Sequence, residues 1–182
     1  MHNEGAIMVE KLIPIYREEE LYTLFYDEKN DKILKIPHTK RSLSAYYSLI
    51  FGLIVLSALL DPLYLPIQNP LFNLISLFIS LVIVYFITKS FYSRYYEQDN
   101  IRDVWFDQEE MKVRAKKGQK QLNIELGAAI VFFLVSIFIF IIFIASSEVR
   151  ALFVSMVCAA PVFILFYMKP LKRRKLLKKL RD

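Results

Sequence analysis

Four uncharged apolar stretches dominate the pattern of hydrophobic and polar positions along this chain. The longest comprises residues 126–147, which as a helix would be about 33 Å long at a rise of about 1.5 Å per residue. That length crosses a hydrocarbon core of about 30 Å. The other three stretches are residues 42–60, 71–88 and 151–168. The pattern therefore predicts an all-α integral membrane protein with four transmembrane helices in two helical hairpins.

Polar segments flank and separate the two helical hairpins. In the first segment, the β-prone runs 21–26 and 32–36 surround turn-forming residues, which predicts a cytoplasmic β-hairpin. In the central segment, residues 101–106 and 111–115 can form a second hairpin that ends at Gly118. The predicted organisation is an N-terminal segment at 1–41, a transmembrane hairpin at 42–91, a loop at 92–125, a second transmembrane hairpin at 126–168 and a basic tail at 169–182.

Positive charge is distributed very unevenly among these segments. Of the 24 Lys and Arg residues, all but Arg150 lie in residues 1–41, 89–125 and 169–182. Lys and Arg collect in the cytoplasmic loops of multi-pass proteins. We therefore expect a cell-membrane protein with both termini and the central loop in the cytoplasm. This asymmetry explains the net charge of +6. Nucleic-acid binding by the basic tail is the weaker interpretation, because no aromatic stacking platform accompanies the tail.

An aromatic cluster follows the second apolar stretch. Phe91, Tyr92, Tyr95 and Tyr96 lie just beyond residue 88. Aromatic rings are enriched at membrane–water interfaces, so we expect these four at the cytoplasmic boundary of the bilayer.

Small residues recur at four-residue spacing within three of the apolar stretches. These candidate helix-packing residues are Ser44, Ser48 and Gly52, then Ser76 and Ser80, then Ala151, Ser155 and Ala159. Small side chains let helices approach closely in lipid. Internal packing of one four-helix bundle is the favoured interpretation, and a homodimer seam is the alternative. Asn73 can donate and accept hydrogen bonds across such a seam.

Residues that could support catalysis are scarce. No ionisable side chain lies within the four apolar stretches, whereas proton relays and ion pathways generally need one. Both histidines, His2 and His38, lie outside them, and Cys158 is the only cysteine. No phosphate-binding loop, zinc-ligand spacing or glycine-rich cofactor loop is present. We expect no catalytic, cofactor-binding or metal-binding residues, and a protein that is not an enzyme.

The basic tail has the pattern of an amphipathic helix over residues 171–181. Leu176, Leu177 and Leu180 share one helical face, and Lys and Arg surround the rest. Such a helix can lie on the anionic inner leaflet. The six side chains expected to contact lipid headgroups are Lys172, Arg173, Arg174, Lys175, Lys178 and Lys179.

The layout of the chain resembles the tandem five-transmembrane family of Gram-positive bacteria. In that family a strand pair precedes paired membrane helices, and a basic stretch leads into a final helical pair. The corresponding pieces here are residues 21–36, the first two spans, residues 112–120 and the last two spans, so this chain has four predicted spans where the family has five. Some family members are similar to immunity proteins against type VII-secreted, membrane-permeabilising toxins. The resemblance implies a protective binding role without catalytic residues.

Three function classes follow from these observations. The leading hypothesis is a small non-enzymatic membrane protein that binds another membrane component, with toxin immunity as the specific candidate. The alternative is a membrane subunit of a transport or secretion complex. An intramembrane enzyme ranks third, because such enzymes need acidic, histidine or nucleophilic side chains at depth.

Overall fold

The computed structural model of the chain describes residues 9–19, 21–39, 43–67, 69–97 and 100–181, without the side chains of residues 43–50 and 65. The chain forms two compact units. The sheet unit comprises Met1–Thr39, Lys89–Gly127 and Ile164–Asp182, and the helical unit comprises Lys40–Thr88 and Ala128–Phe163. Helices α2 (Pro70–Tyr95), α3 (Gln108–Ser146) and α4 (Val149–Tyr167) each contribute residues to both units.

A four-stranded antiparallel sheet forms the centre of the sheet unit. Its strands, in spatial order, are β1 (Ile13–Glu18), β2 (Tyr22–Asp27), β3 (Lys32–Pro37) and β4 (Arg102–Asp103). Strands β2 and β3 contain the β-prone runs of residues 21–36 and pair in register from Tyr22 with Pro37 to Asp27 with Lys32. The turn between them is held by Asp27, whose carboxylate accepts bonds from the Lys29 amide at 3.0 Å and the Asn30 side chain at 2.7 Å.

The sheet is covered on both faces, as the two-residue alternation of its side chains requires. On one face, Leu24 packs with Met111 and Ala115 of α3. On the other face, Phe25 packs with Tyr92 of α2 and with Tyr96, whose ring lies edge-on 5.1 Å from that of Phe25. Tyr92 and Tyr96 are 3% and 4% exposed, so the expectation of an interfacial aromatic belt is wrong for these two rings.

The predicted second β-hairpin in residues 92–125 is also wrong. Among the described residues of this segment, β4 is the one strand and pairs with β3, Tyr96 forms an isolated bridge with His38, and residues 108–125 belong to α3. Helix formation is favoured because Met111, Ala115 and Leu122 recur at helical spacing and bury one face against the sheet. The helix begins after Asp107, whose side chain accepts a 2.7 Å bond from the Gln108 amide.

Strand β1 contains Pro14, and the sequence pattern does not predict it as a strand because proline is confined to edge strands and bulges. Both conditions hold here, since β1 lies at the edge of the sheet and its register shifts between Pro14 and Tyr16.

Three of the described helices, α2, α3 and α4, are long and apolar enough to cross a membrane. They contain the predicted spans 71–88, 126–147 and 151–168 almost entirely. Helix α1 (Leu43–Tyr64) contains most of the remaining apolar stretch and continues through Pro62, beyond its predicted end. A short 3-10 helix, Leu65–Ile67, follows it. Helix α5 (Pro170–Arg181) forms the tail, as its amphipathic pattern predicts.

Candidate functional site

An apolar groove runs between α1, α2 and α4 within the helical unit. Its volume is about 570 Å³. Its walls include Leu56 and Leu60 from α1, Ile79 and Ile83 from α2, and Leu152 and Met156 from α4. All of these side chains are aliphatic or, for Met156, thioether, so the groove fits an apolar occupant.

The few polar groups of the groove are satisfied by the protein itself. The Ser80 hydroxyl donates to the Leu77 carbonyl within α2 at 2.7 Å. The Tyr64 hydroxyl donates to Asn73 Oδ1 at 2.8 Å and lies 3.3 Å from Ser76 Oγ. An occupant of the groove therefore need not provide hydrogen bonds.

A polar network next to the groove connects three helices. Asn73 of α2 is 1% exposed, and its side-chain amide donates to Ser147 Oγ at 2.9 Å and to the Ile144 carbonyl at 3.2 Å. Its oxygen accepts the bond from Tyr64 of α1. Asn73 thus donates and accepts between helices, as expected from the sequence, and fixes α1 and α2 against the end of α3.

Asp61 performs a similar role for the start of α4. One carboxylate oxygen accepts a 2.9 Å bond from the Val149 amide, and the other lies 3.0 Å from Arg150 Nε. An amide at a helix N-terminus has no partner within its own helix, so Asp61 acts as a cap supplied by α1. In the sequence, Asp61 is the first charged residue after the apolar stretch 42–60.

The predicted helix-packing residues differ in how far they are buried. Ser80, Ser155 and Ala159 are buried, whereas Ser76 and Ala151 are partly buried. The Ser136 hydroxyl, which was not predicted, donates to the Ser155 carbonyl at 3.2 Å and so marks close approach of α3 and α4. Gly52 is exposed and has no described neighbour within 4 Å of a Cβ placed there, so internal packing is the wrong prediction for it. The side chains of Ser44 and Ser48 lie outside the described residues.

Helix α5 packs on protein with its apolar face. Leu176 and Leu177 are buried against Ile15 of β1 and Leu122 of α3. This contact corrects the expectation that the apolar face of the tail lies in the leaflet. The leucine pattern alone could not distinguish a lipid surface from a protein surface, because both bury the same side chains.

The six predicted headgroup-contacting residues divide into two groups. Arg173 is 1% exposed and donates to Glu125 Oε2 at 2.5 Å, so its guanidinium is buried, contrary to the expected headgroup contact. Lys172 donates to Glu28 Oε2 at 2.8 Å, and this hydrogen bond lowers the pKa of the Glu28 carboxyl. The remaining four side chains are exposed and occur in none of the described salt bridges. They are Arg174, Lys175, Lys178 and Lys179.

His38 and Tyr96, two titratable side chains of the sheet unit, are buried within the protein. His38 is buried beside the rings of Tyr95 and Tyr96, and its Nε2 lies 2.8 Å from the Thr23 hydroxyl. Burial raises the pKa of Tyr96 to about 12. Within the part of the chain that the structure describes, no three His, Cys, Asp or Glu side chains are grouped to hold a metal ion.

Comparisons with protein-family models, with curated proteins and with solved structures gave no match. The geometry of the groove and of α5 is therefore the basis for a functional proposal.

Proposed function

We propose that the chain crosses the cell membrane four times and that its helical unit binds another membrane component without catalysing a reaction. The topology is supported by the composition of the sheet unit. Met1–Thr39, Lys89–Gly127 and Ile164–Asp182 belong to this one unit, so in this proposal all three segments lie on the same side of the bilayer. The intervening chain must then cross an even number of times.

In the proposed topology, helix α1 is the second membrane crossing between Thr39 and Lys89. Between Thr39 and Lys89, α2 is one candidate span, so a second helix must return the chain. Helix α1 has 22 residues, about 33 Å of helix, which is sufficient. Between Gly127 and Ile164, α3 and α4 already form an even pair.

The binding role is carried by one observation, the groove between α1, α2 and α4. Its walls are apolar and its hydroxyl groups are already bonded within the protein. Ion transport and intramembrane catalysis generally need ionisable groups at depth, and none of the described residues that line the groove is acidic or basic. The groove instead suits a transmembrane helix of another protein, packed through small residues such as Ser76 and Ser80.

Site-specific photo-crosslinking in living cells tests this proposal. A photoreactive side chain at Ile83, inside the groove, should give one adduct of defined mass. The same group at Ile141, an exposed α3 residue outside the groove, is the matched control and should give only diffuse lipid adducts. Equal adduct patterns at the two positions would contradict selective binding.

The identity of the adduct separates the functional candidates. A membrane-permeabilising toxin would support the immunity role, which the layout resemblance suggests. A permease or secretion component would support a subunit role. In either case Ile83→Trp, which fills the groove, should reduce the adduct formed from Ile79, and Ile141→Trp should not.

A further inference from the structure

A strip of positive charge runs along the outer face of α5. Arg174 and Lys178 are four residues apart, as are Lys175 and Lys179, so each pair is adjacent on the helix surface. All four side chains are exposed. Like charges at this spacing repel, and the described salt bridges neutralise none of the four. The strip is therefore a surface that an anionic partner would stabilise.

The opposite face of α5 is occupied by the protein. Leu176 and Leu177 pack on β1 and α3, and Arg173 is paired with Glu125. Lys172 is paired with Glu28 of the turn after β2. Insertion of the leucines into a leaflet would break these contacts, so the docked helix can offer only its charges.

The position of α5, directly after a candidate membrane span, indicates what kind of partner would meet its positive charges. The helix begins at Pro170, three residues after α4 ends at Tyr167, and α4 is a candidate span. Twelve residues of helix extend about 18 Å, so all four cations lie close to the end of that span. A basic cluster directly next to a membrane span is placed to meet anionic headgroups.

We infer that the outer face of α5 binds anionic phospholipid headgroups by charge alone, and so holds the folded sheet unit against the leaflet. This inference needs α4 to span the membrane, as proposed above, but it does not need the groove or its occupant. A failed crosslink from Ile83 would leave it unaffected.

Lipid-dependent stability of the full-length protein tests the inference. In a neutral detergent, added phosphatidylglycerol should raise the melting temperature, because a ligand of the folded state stabilises it. The Arg174→Gln/Lys178→Gln variant should bind this lipid roughly 25-fold more weakly, since each basic group near an anionic surface adds about fivefold. Both side chains are exposed, so the fold should not change.

The matched control removes the same two residue types from elsewhere in the sheet unit. Arg102→Gln/Lys112→Gln changes one exposed Arg and one exposed Lys, on β4 and early α3. This variant should retain the lipid effect. Equal losses in the two variants, or equal stabilisation by neutral phosphatidylcholine, would overturn the inference. Stabilisation by RNA or polyglutamate but not by phosphatidylglycerol would overturn it in favour of a soluble polyanion.

A depth measurement separates surface contact from insertion. With Cys158 replaced by Ala, a fluorophore on Lys175→Cys in vesicles should be quenched by a nitroxide on the headgroup and not by one deep in the acyl chain. Raising the salt from about 0.1 M to about 1 M shortens the screening length from about 10 Å to about 3 Å and should reduce the headgroup quenching. Deep quenching that salt does not reduce would show that the helix undocks and inserts.

Discussion

Glycine at position 118 allows α3 to lie directly against strand β1. A Cβ at this position would collide with the Ile15 carbonyl oxygen and would lie 3.1 Å from Leu177 Cδ2. Three residues later, the Gln121 side chain bonds both backbone groups of Arg17, donating to the carbonyl at 2.6 Å and accepting from the amide at 3.0 Å. The helix thus supplies hydrogen bonds to the open edge of the sheet, which needs a close approach.

Replacing Gly118 with Ala should therefore destabilise the protein although alanine favours helix. We expect a loss of about 1–3 kcal/mol in the free energy of unfolding, because the Ile15 backbone must move. Gly127→Ala, in the same helix with no described neighbour within 4 Å of its Cβ, should instead gain up to about 1 kcal/mol. Chemical unfolding in detergent measures both values. A stabilised Gly118→Ala variant would show that α3 does not lie against β1.

Helices and strands could be predicted from the sequence where a single spacing of apolar residues dominates the segment. Residues 126–147 are uniformly apolar, and residues 21–36 alternate around a turn, so the sequence predicts the apolar half of α3 and the β2–β3 pair. Residues 111–115 fit both a strand and a helix, and only the sheet that buries Met111 and Ala115 decides between them. The groove was not predictable, because its walls come from three helices distant in sequence.

The docking of α5 on α3 can be tested by mutating the Arg173–Glu125 ion pair. Arg173→Met removes one partner of a buried ion pair and leaves the Glu125 carboxylate, 19% exposed, with Arg17 at 3.8 Å as its one remaining partner among the described salt bridges. We expect a loss of about 3 kcal/mol in the free energy of unfolding. Lys172→Met removes the next cation along, from an exposed pair, and should change stability little.

Replacing both partners of the buried pair is the second arm of this test. Arg173→Met/Glu125→Leu should recover part of the loss, because no charge is then left unpaired. If Arg173→Met and Lys172→Met had equal effects in urea unfolding, Arg173 would be exposed and α5 would not be docked.

At the scale of the whole molecule, charge and connectivity support the same orientation. The helical unit contains only Lys40, Arg41 and Arg150 of the 24 basic residues, and the sheet unit contains the other 21. Lys and Arg are retained on the cytoplasmic side. In the proposed topology, the sheet unit contains the chain before and after each helical pair, so its residues face one compartment together.

Cysteine labelling of intact cells tests this orientation in a Cys158→Ala background. Cysteines at position 68, which lies between α1 and α2 in the sequence, and at position 148, which lies between α3 and α4, should react with an impermeant maleimide. Cysteines at Asn30 and Lys116, both exposed in the sheet unit, should react only after permeabilisation.

Labelling of positions 30 and 116 with position 68 protected would reverse the charge rule for this protein. Protection of position 68 together with positions 30 and 116 would mean that α1 and α2 do not form a crossing pair. Labelling of position 30 but not 116 would contradict the packing of α3 on the sheet, since two parts of one folded unit cannot lie on opposite sides of a bilayer.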